Sequence, residues 1–173
     1  MKNILFLLLL NFAFLSNSFF EIKNQSNNEL KLSFNLKNYE IEKQDLGDVI
    51  AIPGSGSRSL IGEPSLPSMS SFVKLDKNKS YDIQYNIISK KEIDNISIKP
   101  LQTFSDKIVD YQKNELIYTS NSTYPEKNLF ISDRNSMRGT EFINLEIVPF
   151  IYNPTQNKLT IIEELEIIIS ENS

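Results

Sequence analysis

The sequence predicts an all-β protein, an antiparallel β-sandwich with a barrel-like core, and three observations carry that reading. Apolar and polar residues alternate along several short stretches, as in Leu30-Lys31-Leu32-Ser33-Phe34-Asn35-Leu36, which is the period of a half-buried strand. Gly, Pro and Asn punctuate those stretches at short intervals, as turns between strands require. Beyond the first 18 residues no stretch keeps a helical period. Many short strands separated by turn signals pack as a sandwich or barrel.

The elements follow in order. Met1-Lys2-Asn3 is a short charged start, Ile4 to Leu15 is apolar except for Asn11, and Ser16-Asn17-Ser18 supplies small residues. That is the layout of a secretory signal peptide over residues 1–18. The apolar run is too short for a bilayer, which needs about 20 residues. Residues 19–29 read as a loose polar N-terminus. Leu30 to Leu36 is a strand that Tyr39 and Ile41 continue. Val49 to Ile52 is a short apolar run stopped by Pro53, and Gly54 to Ser59 is a flexible loop. Gly62-Glu63-Pro64-Ser65-Leu66-Pro67 is a rigid extended crossing, because its two prolines cannot donate to a ladder.

Phe72, Val73 and Leu75 open the next strand, and Asp76 to Lys79 is a turn. Tyr81, Ile83, Tyr85 and Ile87 form a clean period-two strand. Ile93, Ile96 and Ile98 mark another that ends at Pro100. Residues 101–122 fit no single period, although Val109, Tyr111, Leu116, Ile117 and Tyr118 could pack. Tyr124-Pro125 restarts extended structure, and Leu129-Phe130-Ile131 is brief. Arg138 is expected to pair with a strand-edge carboxylate, and Gly139 to permit a bulge or a close approach. Ile143, Leu145 and Ile147 then share one face. Asn153-Pro154 turns the chain, with Tyr152 expected over the turn, since Pro154 fixes φ and biases Asn153 to an extended conformation. In the last strand Leu159, Ile161, Leu165, Ile167 and Ile169 share a parity that only Glu163 interrupts. Ile162 and Ile168 fall on the other face, so part of that face is expected to be covered.

Composition excludes several functions. The chain of 173 residues has no Cys and no His. It therefore offers no thiol nucleophile, no Ser-His pair and no ordinary zinc site, and lacks the usual proton carrier near neutral pH. Zero Cys in an exported chain also means no disulfide framework. The net charge of −4 becomes −5 once Lys2 leaves with the leader, which disfavours a nucleic-acid partner. The acidic cluster Glu163, Glu164 and Glu166 reads as solvation of an outer strand face rather than a glycosidase pair. Gly54-Ser55-Gly56-Ser57 has neither the Lys nor the spacing of a phosphate loop. Nothing asks for a cofactor or metal. The sequons at Asn24, Asn78, Asn95 and Asn121 follow from an Asn-rich composition of the kind an A+T-rich bacterial genome produces.

Four landmarks stand in sequence order: Gly62 to Pro67; Ile98-Lys99-Pro100; Tyr124-Pro125; and Arg138-Gly139 through Tyr152-Asn153-Pro154 to Leu159. Taken together they resemble the N-terminal propeptide of the gingipain-type cysteine peptidases (the C25 family, of the caspase-like clan), over about Leu30 to Ser170. The resemblance implies a β-sandwich that folds ahead of a catalytic domain, assists its folding and keeps it latent until proteolytic removal. It also implies that a loop after the Pro-ended strand offers a basic residue to the peptidase. The seventh residue after Pro100 is Lys107, preceded by Asp106; these are the candidate inhibitory residues. The partner is then a caspase-like cysteine peptidase domain, in cis or in trans, and the chain itself is not the enzyme. This makes the chain a piece of a larger precursor or a free-standing prodomain; the alternative is a secreted β-sandwich binding or adhesion module. The signal peptide implies export to a Gram-negative periplasm, and the resemblance implies onward secretion or display at the cell surface, with no integral membrane segment after the leader is removed.

Overall fold

A computed structural model describes residues 19–26, 28–104 and 110–172. The leader expected at residues 1–18 lies outside them. So do Asp106 and Lys107.

Among the described residues, twelve strands and one short helix follow in chain order. The strands are β1 (Phe20–Gln25), β2 (Glu29–Asn35), β3 (Glu40–Gln44), β4 (Gly47–Ala51), β5 (Gly56–Ser57), β6 (Pro67–Leu75), β7 (Tyr81–Asp94), β8 (Leu129–Ile131), β9 (Asn135–Met137), β10 (Thr140–Ile147), β11 (Phe150–Asn153) and β12 (Lys158–Glu171); the helix α1 (Glu115–Tyr118) precedes β8. All strand ladders are antiparallel. They form two five-stranded sheets and a separate β3–β4 hairpin. The sandwich expected from sequence is present, but the sheets do not close into a barrel.

β12 is the spine of the first sheet. One edge carries β7 along its whole length, and the other carries β11 and then β2, with β1 beyond. The alternating row read from sequence makes the core: Leu159, Ile161, Leu165 and Ile167 are fully buried and face the layer of Ile143, Leu145 and Ile147 on β10. Each such side chain stabilises the fold by about 1.5–3 kcal/mol through removal from water. Glu163 does not intrude. The β12–β7 register shifts on both sides of Glu164, a bulge that turns the Glu163 carboxylate to Lys91 Nζ at 2.8 Å and Ser89 Oγ at 3.1 Å while Ile162 is buried.

Four local expectations change. Residues 20–25 are not loose: β1 pairs with β2, and Phe20 packs edge-on against buried Phe34 at 5.5 Å, so the β2 ladder supplies the order that polar side chains cannot. Tyr39 and Ile41 do not continue β2. Asn38 takes φ 50 and starts a new hairpin, β3–β4. Ile93 belongs to β7, which runs unbroken for 14 residues until Asn95 at φ 59. Asn enters this left-handed region more easily than branched residues do. Arg138 (φ 51) and Gly139 (φ 77) form the two-residue turn between β9 and β10, which is type I′ chemistry. Arg138 meets no carboxylate among the described residues, and a side chain on Gly139 would touch only Lys77 Nζ, at 4.0 Å. The backbone sign, not a bulge or a close approach, is what selects glycine there.

Candidate functional site: a framed loop

The irregular stretch after Pro100 leaves the sandwich as a loop, and its two stems are held by one residue. Gly62 donates its N–H to Leu101 O (2.8 Å) and accepts from the Asn114 N–H at its own carbonyl (2.8 Å). Gly62 has φ +87, and an added Cβ would lie 3.2 Å from Asn114 N, so the position favours glycine in both conformation and space. Glu63 O accepts from the Leu101 N–H (2.8 Å), and Lys99 O accepts from the Ser65 N–H (3.0 Å). Pro64 and Pro100 face each other across this bridge. The prolines lack N–H groups, so they sit where none is needed.

A second clasp closes the neck. The Gln102 side chain pairs with the backbone of Gln112 at both ends: Nε2 donates to Gln112 O (2.7 Å), and Oε1 accepts from the Gln112 N–H (2.9 Å). Phe104, nearer the tip, is fully exposed. On the returning side, Asn114 caps α1 by accepting the Leu116 N–H (3.2 Å).

The frame rests on the sandwich through buried and half-buried tyrosines and carboxylates. Tyr118 donates to Ile98 O (2.9 Å) and Tyr124 to Glu63 Oε2 (2.8 Å), and Glu63 Oε2 also accepts the Leu60 N–H (2.8 Å). Tyr124 and Tyr152 exchange both backbone bonds (2.8 and 2.7 Å), and the Tyr118 and Tyr152 rings meet edge-on at 6.4 Å. Burial pushes all three phenols up, Tyr124 to about 12 with help from Glu63. Asp48 Oδ2 accepts the Ser97 N–H (2.7 Å), and its carbonyl accepts that of Lys99 (2.9 Å). Gly47 must be small here, because a Cβ would lie 2.7 Å from Ser97 O. Ser59 Oγ donates to Pro64 O (2.6 Å) and accepts the Leu66 N–H (3.2 Å), placing Leu66 in the core just before Pro67 opens β6. The Tyr124-Pro125 peptide is cis. Asn153, almost wholly buried, donates to Asn121 O (3.1 Å) and accepts the Gln156 N–H (3.1 Å); Pro154 is buried beside it.

Around the neck lies a collar of exposed apolar side chains: Leu46, Leu60, Ile61, Tyr111 and Leu116. Leu60 and Leu116 flank an open groove of about 910 Å³ floored by Leu66, Tyr124, Pro125 and Val148. Exposed apolar side chains grouped near one loop suit a contact surface. Among the described residues no group of His, Cys, Asp or Glu could hold a metal.

Most of the sequence landmarks thus meet at one end of the sandwich: Gly62, Pro64, Leu66, Pro67, Pro100, Tyr124, Pro125, Tyr152, Asn153 and Pro154. Arg138 and Gly139 lie at the other end of β6, where Leu75 pairs with Glu141. Tyr118, expected to pack, does so; sequence reasoning missed Gln102, Gln112, Asn114 and Asp48. Only Asn114 before Glu115 carried a local signal, that of a helix start.

The family model Propeptide_C25 matches residues 20–173. In fold the chain is similar to the pro-domain in the complex of Porphyromonas gingivalis RgpB pro- and mature domains, with a TM-score of 0.78 and 19% identity over 91% of this chain and 86% of that one. It is similar also to the pro-domain in a structure on the zymogenic latency of gingipain K from Porphyromonas gingivalis, with a TM-score of 0.74 and 18% identity over 88% of this chain and 92% of that one. No curated protein sequence matches.

Proposed function

The chain belongs to the Propeptide_C25 family, and from that premise we propose that it folds ahead of a gingipain-type cysteine peptidase domain and holds it latent. It is a propeptide and not the catalytic domain. The observation that carries the latency reading is the doubly tied loop. Gly62 binds both stems, and Gln102 clasps Gln112. A neck tied before docking loses little conformational entropy of its own on binding. Held in a fixed pose at the neck, the loop can block a peptidase cleft without being threaded through it as substrate. The collar of Leu46, Leu60, Ile61, Tyr111 and Leu116 supplies apolar contact area around the loop, as the core of an interface needs.

Lys107 is the proposed inhibitory residue, with Asp106 beside it, on a partner domain of caspase-like fold. A cation that enters an acidic pocket and is paired there contributes strongly, and its truncation costs about 2–5 kcal/mol. The reading includes export by the 1–18 leader to the periplasm, and onward secretion or surface display.

The test is inhibition. Residues 19–173 are expected to slow a gingipain-type peptidase of the same organism. Gln102→Ala should weaken inhibition by loosening the neck, and Lys107→Ala should weaken it further. Equal inhibition by Lys107→Ala and the parent would remove Lys107 from the mechanism. Failure of the parent to inhibit at micromolar concentration would sink the latency reading.

A further inference from the structure

β7 presents a long strand edge with no partner among the described residues. Its only ladder is to β12, and no strand among the described residues pairs with its other side. Every second residue there turns its N–H and C=O outward. The inward row of β7 is only partly covered: Tyr81 and Ile83 are half-buried against the core. Tyr85 and Ile87 lie opposite fully buried Ile167 and Leu165, yet are 39% and 41% exposed. β6, whose outer side carries β5 only at Pro67 and Ser68, leads into β7 through the short turn at 76–80. The two open edges therefore share one side of the sandwich.

Soluble proteins blunt such edges with charge and bulges. β7 does so only in its second half. Ile88 has no partner across the β12 ladder, and Lys90, Lys91, Glu92 and Asp94 follow it. Residues 81–87 hold one charge, Asp82.

We infer that residues 81–87 pair antiparallel with the same residues of a second copy, joining two sandwiches through one continuous sheet. The segment is self-complementary when the two-fold axis passes Gln84. Tyr81 then faces Ile87, Ile83 faces Tyr85, and Asp82 faces Asn86. Both inward pairs set an aromatic ring against a β-branched side chain, a favourable cross-strand combination. No like charges meet. Centring on Ile87 would place Asp82 opposite Glu92, and centring on Ile88 would place it opposite Asp94. Centring on Tyr85 or Asn86 would run the ladder across the irregularity at Ile88. The contact is isologous and closed, so it ends at two copies, and it covers Tyr85 and Ile87 in each. It uses the half of β7 remote from Asp94 and the loop frame, and does not depend on the latency reading.

The core is complete within the described residues from Phe19 to Ile169, so residues 19–173 suit the experiment, and the chain has no cysteine of its own. Directly opposed residues in an antiparallel pair have Cα atoms about 4.5–5.5 Å apart, within disulfide reach. Gln84→Cys is expected to oxidise to a covalent dimer, and Asn24→Cys, on the β1 edge, is not. Sedimentation of the parent should give the mass of two copies, and Tyr85→Lys should return it to one copy that still unfolds cooperatively, with the parent's concentration dependence of the melting temperature lost. A parent that stays at one copy at high micromolar concentration overturns the proposal, as does equal cross-linking of the two cysteine variants. A dimer that survives Tyr85→Lys overturns this register. If the thiol of the Gln84→Cys variant is protected from labelling only when a peptidase domain is added, the edge belongs to that partner and the two-copy pairing is overturned.

Discussion

The Pro154–Asn157 turn and the Arg138-Gly139 turn both reverse the chain between antiparallel strands, and both open with residues suited to turning, yet they serve opposite ends of the molecule. At the first, Tyr152, Asn153 and Pro154 are buried, and the Asn153 amide reaches across to Asn121. At the second, Ser136, Met137, Arg138 and Gly139 are exposed, and the turn is held by its own ladder and backbone sign. What differs is what arrives from elsewhere in the chain. Residues 118–124 come to rest on the first turn through Tyr118, Asn121 and Tyr124, and convert a local reversal into part of a frame. The second turn receives no such segment among the described residues.

That contrast breaks most visibly at Tyr152. Tyr152→Ala removes a fully buried ring that touches Tyr118, and should cost about 3–5 kcal/mol in chemical denaturation. Hydrogen exchange should show the added opening at 118–124 and 96–101 first. A loss below about 1 kcal/mol would mean that the frame does not depend on the turn beneath it.

A smaller effect separates the two ends by pH. Burial raises Tyr118, Tyr124 and Tyr152 above the ordinary phenol value of 10.0. The unfolded phenols ionise near pH 10 while the folded ones stay protonated, so the stability from these groups is full below pH 10 and falls as pH rises, for Tyr124 up to about 12. The frame should therefore open before the β9–β10 hairpin on alkaline titration, as read by exchange or proteolysis. Tyr124→Phe should lessen the alkaline loss. An unchanged alkaline limb would show that Tyr124 ionises freely in the fold.

The same contrast explains what could be read from residue order. The alternation of Ile143, Leu145 and Ile147, and of Leu159 through Ile169, announced two core strands because burial there repeats every second residue. The asparagine breaks at Asn38 and Asn95 were not legible, because a positive φ is a choice the surrounding chain makes for a tolerant residue. β1 was missed because its order comes from a neighbouring ladder. The frame was legible only as landmarks in sequence. Gly62, Leu101 and Asn114 form one site through backbone bonds that no side-chain period encodes, and the Gln102–Gln112 clasp uses two residues that look like any polar pair in a loop.

The smallest expected effect tests the exposed turn alone. Gly139→Ala puts a Cβ at φ 77 with open space around it, so its cost is conformational and near 1 kcal/mol, within the range of about 1–2 kcal/mol for left-handed backbone. Arg138 already bears that cost at φ 51 without a carboxylate partner among the described residues. Arg138→Gly should then be stabilising by a few tenths of a kcal/mol or neutral, the unfolded chain's added freedom offsetting part of the relief. Thermal unfolding of the two variants decides it. If Arg138→Gly destabilises as much as Gly139→Ala, the guanidinium has a partner that the turn geometry does not reveal, and the hairpin is no longer the self-contained end of the comparison.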